Sequence, residues 1–207
     1  MRRETIAADK KSKELKCFEA SIIAGSAKGK KILIPHISTT RSSKGILRES
    51  LFNTLQFDII DKNFVEVFAG SGSVGLEALS RGAKRAFFIE QNRDVFDILK
   101  QNIKRLNTDN TTAILGDSFE ELDNVLNTIS RLDEKTYFYF DPPFSIREGM
   151  DSIYDKTLSL IESIDPYISE MIIIEHMSQL KLPQQIGEFK LSKKKKFGKS
   201  SLSYFLA

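Results

Sequence analysis

The stretch that decides the fold is Val65-Glu66-Val67-Phe68-Ala69-Gly70-Ser71-Gly72-Ser73-Val74-Gly75, followed directly by Leu76-Glu77-Ala78-Leu79. A short apolar run interrupted only by Glu66 is typical of a buried strand, and the segment after the glycines reads as the first turns of a helix. Glycines let the backbone turn sharply and approach a ligand without a Cβ atom in the way. Such a strand, glycine turn and helix hold a nucleotide-like ligand at the edge of a parallel sheet.

Strand and helix patterns alternate through the rest of the chain. We predict strands at residues 64–68, 85–90, 112–115, 136–140 and 171–175, and helices at 46–60, 73–81, 93–106, 118–129 and 150–164. Residues 18–24 and 30–34 predict a hairpin, and residues 186–195 and 201–206 predict a second hairpin around Gly198. The predicted fold is therefore α/β and Rossmann-like: a doubly wound, mostly parallel, seven-stranded sheet with a C-terminal antiparallel hairpin and a small N-terminal β-hairpin extension.

The bulk composition bounds the domain organisation. The 207 residues fit one domain with a small extension, which we divide into a basic, disordered arm at residues 1–17, a hairpin and loop extension at 18–44, and the main domain at 45–207. Cys17 is the only cysteine, which excludes an internal disulfide and favours a reducing, cytoplasmic compartment. We expect no membrane span, no structural zinc site and a monomer.

Charge is distributed unevenly along the chain. Residues 1–48 hold 12 Lys/Arg and 4 Asp/Glu, a net charge of +8, and residues 181–207 hold 7 and 1, a net charge of +6. The middle of the chain, with 12 and 23, is acidic at −11. Basic ends on an acidic body indicate a polyanionic partner, most simply nucleic acid, although ordinary surface lysines would give the same pattern. The candidate phosphate contacts are Lys28, Lys30, Lys31, Arg41, Lys193, Lys194, Lys195 and Lys196.

A second motif, Asp141-Pro142-Pro143-Phe144, ends the fourth predicted strand of the parallel series. The prolines remove two N–H donors and fix φ, so the Asp carboxylate and the nearby carbonyls form a rigid cluster of acceptors. An exocyclic amine of a nucleobase is a donor that suits such a cluster, and Phe144 offers a face for stacking an extruded base. The alternative is that the prolines only end a strand.

Two further acidic side chains follow predicted strands. Glu90 lies where a carboxylate accepts hydrogen bonds from both hydroxyls of a ribose, which fits NAD and S-adenosylmethionine equally well. Asp117 could accept from the exocyclic amine of adenine, or cap the helix that begins at Ser118. Arg48 is either a solvated helix charge or a residue that closes over the ligand.

These residues together resemble the class I S-adenosylmethionine-dependent methyltransferases, and among them the RsmD family, which methylates the exocyclic N2 of one guanine in bacterial 16S ribosomal RNA. The resemblance runs from about Ser21 to the C-terminus. It is carried by Ile22–Gly25, Lys28–Lys31, Thr40-Arg41, Arg48–Asn53, Phe68–Ala83, Glu90 and Asp141–Phe144.

The resemblance implies S-adenosylmethionine as cofactor, no metal, and 16S rRNA or an assembly intermediate of the small ribosomal subunit as partner. It implies catalysis by Asp141, Pro142, Pro143 and Phe144. It implies cofactor contacts by Phe68, Gly70, Gly72, Glu90, Asp117 and Ser118, to which we add Ser71 and Arg48. The chain departs from the family pattern at Ser42-Ser43-Lys44-Gly45-Ile46, and at Glu66, where an Asp is usual.

Three alternatives stay open on the sequence. An amino-directed DNA methyltransferase would use the same site, although no sizeable inserted target-recognition segment is visible. A nicotinamide-dependent oxidoreductase is compatible with the glycine spacing, but Asp141-Pro142-Pro143-Phe144 has no role in hydride transfer. A catalytically silent RNA-binding assembly factor on the same fold is the third, and the intact Asp141 and glycine loop speak against it.

Overall fold

The computed structural model describes residues 15–36, 41–143 and 152–207. The strands are β1 (Cys17–Ser21), β2 (Lys31–Pro35), β3 (Asn63–Glu66), β4 (Arg85–Glu90), β5 (Thr111–Leu115), β6 (Thr136–Phe140), β7 (Ser169–Met177), β8 (Gln185–Ile186), β9 (Phe189–Phe197) and β10 (Ser200–Leu206). The helices are α1 (Arg41–Leu55), α2 (Ser73–Ser80), α3 (Arg93–Leu106), α4 (Ser118–Ile129) and α5 (Ile153–Glu162).

The main sheet has eight strands in the order β5-β4-β3-β6-β7-β10-β9-β8. Strands β3 to β7 are mutually parallel, and β10 and β9 follow antiparallel to β7. The predicted doubly wound sheet with its closing hairpin is thus confirmed. The addition is β8, a two-residue edge strand that pairs with the start of β9.

Both faces of the sheet are covered by helices, as the uninterrupted apolar character of the central strands requires. All five residues of β6 are buried. One face packs against α4 and α5 through Leu122, Val125 and Ile161, and the other packs against α1 through Leu47 and Leu51. Burial on both faces fixes the strand positions, and therefore fixes where their carboxyl ends open onto the ligand edge.

The N-terminal hairpin of β1 and β2 is docked on the main domain by buried polar groups. The Glu77 carboxylate accepts hydrogen bonds from the amides of Ile23 (2.8 Å) and Ala24 (3.0 Å). Gly25 at the turn has φ +85°, and a Cβ atom there would lie 1.7 Å from the carbonyl oxygen of Ser80. Only glycine fits this close approach, so the turn is built for its contact with α2.

Helix α1 begins earlier and ends earlier than the sequence predicts. It spans Arg41–Leu55 because Gln56 adopts a left-handed conformation with φ +41°, which stops the helical ladder. Ile59 is nevertheless buried, in the turns that follow. The predicted boundary of the main domain at residue 45 falls inside this helix. Residues 1–14 of the predicted basic arm lie outside the described residues.

Candidate active site

The predicted ligand-binding residues meet at one edge of the sheet. Because β3, β4, β5 and β6 run parallel, their carboxyl ends open on the same side. The glycine loop follows β3, Glu90 ends β4, Asp117 follows β5, and Asp141 follows β6. The cleft expected from the sequence therefore has its parts on a single edge.

The glycine loop is packed on one side and open on the other. Gly72 has φ +75°, and a Cβ atom there would lie 2.3 Å from Leu99 Cδ1. Gly70 has φ +54°, but a Cβ atom there would meet no atom within 4 Å. The positive φ angles require glycine at both positions, and the open space at Gly70 is where a ligand can approach the bare backbone.

Glu66, which stands where the family usually has an Asp, fixes the end of this loop through its side chain. Its side chain is buried, and its carboxylate accepts hydrogen bonds from the amides of Val74 (3.3 Å) and Gly75 (2.8 Å), in the first turn of α2. Burial raises the pKa of Glu66 to about 8, and the two amide hydrogen bonds offset part of that rise. The carboxyl group satisfies N–H groups that the start of a helix leaves unpaired.

Glu90 contacts the loop from the side. One carboxylate oxygen accepts from the Gly70 amide at 2.8 Å, and the other accepts from the Asn92 amide at 2.7 Å. Each carboxylate oxygen has a second lone pair, so the group keeps acceptor capacity for a ligand hydroxyl. The structure thus brings Glu90 next to the open face of Gly70.

Asp117 and Ser118 occupy the end of β5 and the start of α4. Asp117 accepts from the Phe119 amide at 3.0 Å, which confirms the predicted helix cap. The Ser118 hydroxyl donates to the Val67 carbonyl at 2.5 Å, and its side chain is buried. Asp117 is itself exposed, so capping leaves its second oxygen accessible to a ligand.

A cleft of about 220 Å³ lies between these elements. Its walls bring together Phe68, two residues before Gly70, Asp117 and Ser118 from the end of β5, and Pro143 from the motif after β6. The other lining residues are Gln91, Phe119, Ser152, Ile153 and Lys156. The segment that leads into the glycine loop and the proline motif therefore border one cavity. Phe144 lies outside the described residues.

Asp141 of the proline motif belongs to a compact cluster with three other polar side chains, Lys44, Tyr139 and Glu175. Lys44 Nζ, on α1, lies 2.6 Å from Asp141 Oδ2. The hydroxyl of Tyr139 donates to Glu175 Oε2 at 2.5 Å, and both side chains are buried. The charge of Asp141 raises the pKa of Lys44. Burial, and then the nearby Asp141 charge, raise the pKa of Glu175 to about 7.

Of this cluster, sequence reasoning identified only Asp141. Lys44 falls in the segment that departs from the family pattern, and Glu175 comes near the end of a strand that was predicted without a site role. A usable signal existed for Glu175, since a carboxyl group near the carboxyl end of a parallel strand is placed at the ligand edge.

Arg48 and Ser71 lie beneath the site and not at its surface. The Arg48 guanidinium donates to the carbonyls of Ser21 (2.8 Å) and Ser73 (3.5 Å), and its side chain is buried. The Ser71 carbonyl accepts from the side chain of Asn102 at 2.9 Å. Asn102 also bonds both backbone groups of Leu33, and so links the glycine loop to the N-terminal hairpin. Arg48 is therefore not a solvated helix charge. It supports the backbone beneath the site, and its contact with the ligand stays a prediction.

The predicted phosphate contacts separate into two groups. Lys30 Nζ donates a hydrogen bond to the carbonyl of Leu106 at 3.1 Å. Leu106 is the last residue of α3, and α3 ends at the amino edge of the sheet. The hairpin tip with Lys28, Lys30 and Lys31 therefore lies at the edge opposite the cleft. The side chain of Arg41 lies outside the described residues.

The lysines of β9 lie on the cleft side. Lys195 pairs with Leu202 of the neighbouring strand β10, and Leu202 pairs in turn with Glu175 of β7. Lys195 itself donates to Thr54 Oγ1 at 2.7 Å, so it fastens β9 to α1. Lys193, Lys194 and Lys196 are exposed.

The described residues form neither a candidate metal site nor a candidate membrane span. In residues 15–36, 41–143 and 152–207, no three His, Cys, Asp or Glu side chains converge as a metal site would require. In the same ranges, every helix is too short or too polar to cross a bilayer.

Comparison with known proteins gives a consistent answer. The sequence model of the family described as conserved hypothetical protein 95 matches residues 20–206. The ribosomal RNA small subunit methyltransferase D of Escherichia coli K12 is 32% identical over 182 residues, which are 86% of this chain and 84% of that protein. The protein of the same name from Buchnera aphidicola is 33% identical over 144 residues, 69% of each chain.

Solved structures agree with the sequence relatives. The yhhF methyltransferase of Escherichia coli superposes with a TM-score of 0.71 at 28% identity, covering 91% of this chain and 97% of that one. A methylase from Haemophilus influenzae gives 0.65 at 27% identity, covering 92% and 100%. The nicotinamide-dependent oxidoreductase left open by the glycine spacing is thereby set aside, and the chain belongs to the RsmD-like family of methyltransferases.

Proposed function

We propose that the protein transfers a methyl group from S-adenosylmethionine to the exocyclic N2 amine of a guanine in bacterial 16S ribosomal RNA. The observation that carries this proposal is the single cleft bordered by Phe68 and Asp117 on one side and by Pro143 on the other. Phe68 and Asp117, which we assign to the adenosyl group, thus share a cavity with Pro143, the neighbour of the proposed amine acceptors Asp141 and Pro142. All of them belong to the main domain at 45–207.

The residues present fit the cofactor. Open space faces the backbone of Gly70, the carboxylate of Glu90 keeps acceptor capacity beside it, and the exposed Asp117 carboxylate lies on the cavity wall. These groups would hold the methionyl, ribose and adenine parts respectively. When bound, S-adenosylmethionine supplies an electrophilic methyl group on a positively charged sulfur, which an acidic site favours.

The chain's own residues act on the acceptor amine. Asp141 and the Pro142 carbonyl are acceptors held rigid by the two prolines, so they can orient the N–H bonds of a flat exocyclic amine. Lys44 now occupies Oδ2 of Asp141, so an amine would use Oδ1, or Oδ2 once Lys44 has moved away. The proton that the amine loses after methylation passes to water.

An RNA substrate is supported by the relatives and by the surface charge. Two relatives that are at least 32% identical carry names that specify small-subunit ribosomal RNA. Exposed lysines of β9 extend the cleft side of the molecule, where they can contact phosphates. We expect a monomer that acts in the cytoplasm on the RNA or on a partly assembled small subunit.

The test is methyl transfer with the labelled cofactor. Purified protein would be given 16S rRNA, small subunits and duplex DNA separately, and the methylated nucleoside would be identified by mass spectrometry after digestion. We expect N2-methylguanosine from RNA, its loss in Asp141→Ala, and near-normal binding of S-adenosylhomocysteine by that variant. Label in DNA alone, a different methylated nucleoside, or near-normal turnover by Asp141→Ala would overturn the proposal.

A further inference from the structure

The ends of β6 and β7 place two carboxyl groups side by side. Phe140 pairs with Ile174 in the parallel register of these strands, so the next residues, Asp141 and Glu175, are also neighbours. Adjacent strands lie about 4.8 Å apart. Only Asp141 belongs to the proline motif, and the proposed function gives Glu175 no task.

Glu175 is a buried carboxyl group and not a solvated one. It is 3% exposed, and Oε2 accepts the Tyr139 hydroxyl at 2.5 Å. Oε1 is buried and has no hydrogen-bond partner among the described residues. Leaving a buried acceptor unsatisfied is costly, and an ionised carboxylate in that position attracts a cation.

Among the described residues, the cation that acts on Glu175 is the ammonium group of Lys44. It lies 2.6 Å from Asp141 Oδ2, and its side chain is 46% exposed, so it is not locked in place by packing. Its charge lowers the pKa of Glu175, while the Asp141 charge raises it. The two neighbouring carboxyl groups therefore compete for one ammonium group.

The charged and titratable surroundings of Glu175 come from four elements. Lys44 faces it from α1, Asp141 and Tyr139 from β6, and Tyr154 from α5. Glu66, on β3, acts on Lys44 and Tyr139. From β10 the paired residue is the apolar Leu202. Asp141 is thus the group that most opposes ionisation of Glu175, and Lys44 is the group that favours it.

We propose that Glu175 is a positioning residue which, when ionised, draws the ammonium group of Lys44 away from Asp141 and frees Oδ2 of that carboxylate to accept the N–H of the target amine. This inference rests on the proposed function, because it assumes that an amine donates to Asp141. With Glu175 protonated, Lys44 stays on Asp141 Oδ2 and competes with the amine for that acceptor. With Glu175 ionised, the cluster also carries one more negative charge beside the positive sulfur.

The kinetic test is the pH profile of single-turnover methyl transfer. In the wild type the rate should rise as pH increases through about 7, the pKa of Glu175. In Glu175→Gln the rise should vanish and the rate above it should fall by roughly tenfold, because the neutral amide keeps an acceptor for Tyr139 but cannot attract Lys44. The matched control is Glu170→Gln, on the same strand, which should retain the wild-type profile.

A second readout does not depend on activity. Carbon-13 labelling of the glutamate carboxyl groups allows the titration of Glu175 to be followed by NMR, with Glu175→Gln assigning the signal. We expect a midpoint near 7 in the wild type, a lower one in Asp141→Asn and a higher one in Lys44→Met. If Glu175→Gln does not fold, Glu175→Asp assigns the signal, because it also removes one resonance from the labelled glutamate set.

The two proposals fail in distinguishable ways. A wild type that methylates no RNA would overturn the proposed function, and the inference that rests on it, whatever the NMR titration shows. An active wild type whose pH profile survives unchanged in Glu175→Gln would overturn the role of Glu175 alone. A Glu175 midpoint near the ordinary value of 4.5, unmoved by Lys44→Met and Asp141→Asn, would also overturn it.

Discussion

Glu90 Oε2 lies 2.8 Å from the amide nitrogen of Gly70, so the end of β4 is tied to the loop that follows β3. The two residues are 20 positions apart in the sequence and meet because their strands pair in parallel. The bond fixes both the loop and the carboxylate that the proposed ribose site needs.

Replacing Glu90 should therefore weaken cofactor binding strongly. In Glu90→Gln the amide has one acceptor oxygen where the carboxylate has two, so it cannot serve the Gly70 amide, the Asn92 amide and a ribose diol together. A hydrogen bond to a charged group contributes about 1.5–3 kcal/mol, so we expect affinity for S-adenosylhomocysteine to fall at least about tenfold by calorimetry. Glu120→Gln, an exposed change in the first turn of α4, is the control, and equal affinities for the two variants would refute the prediction.

Gly70 should be needed for the ligand more than for the fold. Gly70 and Gly198 have φ values of +54° and +59°, and a Cβ atom at either meets nothing within 4 Å. Each change to Ala should thus cost about 1 kcal/mol of unfolding free energy from backbone strain. Only Gly70→Ala should also reduce cofactor affinity, because its Cβ enters the open space that we assign to the cofactor. Chemical denaturation and calorimetry on both variants test this, and equal affinities would contradict it.

Glu66 should make stability depend on pH. Its pKa is about 8 in the folded protein against an ordinary 4.5, so the folded state binds more protons than the unfolded state between these values. The free energy of unfolding should fall as pH rises from about 5 to about 8 and then level off, with Glu175 adding a decline of the same sign that ends near 7.

Glu66→Gln should make this decline shallower, because its side chain does not titrate. Urea denaturation at several pH values measures it. Glu170→Gln should keep the wild-type slope, and an unaltered slope in Glu66→Gln would show that the carboxyl group stays ionised across the range.

The two lysine groups should differ in RNA binding. Lys194 and Lys196 are exposed on β9 at the cleft side, and Lys28 and Lys31 are exposed on the hairpin at the opposite edge. Each phosphate contact removed should reduce the slope of log affinity against log salt by about 0.7–0.9. We expect a reduction for the Lys194→Gln, Lys196→Gln double variant and none for Lys28→Gln, Lys31→Gln. Filter-binding assays at several salt concentrations measure both slopes. A reduced slope for the Lys28→Gln, Lys31→Gln variant alone would place the RNA on the opposite edge.

Much of the fold followed from local patterns. Strands β4 and β6 and helices α3 and α4 begin and end where the sequence predicts, because Asn92 and Asp117 are helix caps and because β6 is apolar throughout. The edge that carries the site also followed, since parallel strands open their carboxyl ends on one side. The end of α1 could not be predicted from local patterns, because it depends on Gln56 in a left-handed conformation, and glutamine does not signal such a stop as glycine does.

The residues missed were those whose role depends on distant contacts. Lys44 reaches Asp141 across 97 positions, and Glu175 meets Tyr139 across 36. Asn102 is buried on α3, and its bonds to Ser71 and Leu33 depend on how the hairpin docks. Burial of a polar side chain is readable only once its partners are placed.

The most direct test of the proposed site is a crystal structure of the protein with S-adenosylhomocysteine. We expect the adenine between Phe68 and Asp117, the ribose hydroxyls on Glu90, and the sulfur directed toward Asp141 and Pro142. A ligand bound outside the cleft, or bound with its sulfur directed away from Asp141, would contradict the claim that the glycine loop and the proline motif serve one methyl-transfer site.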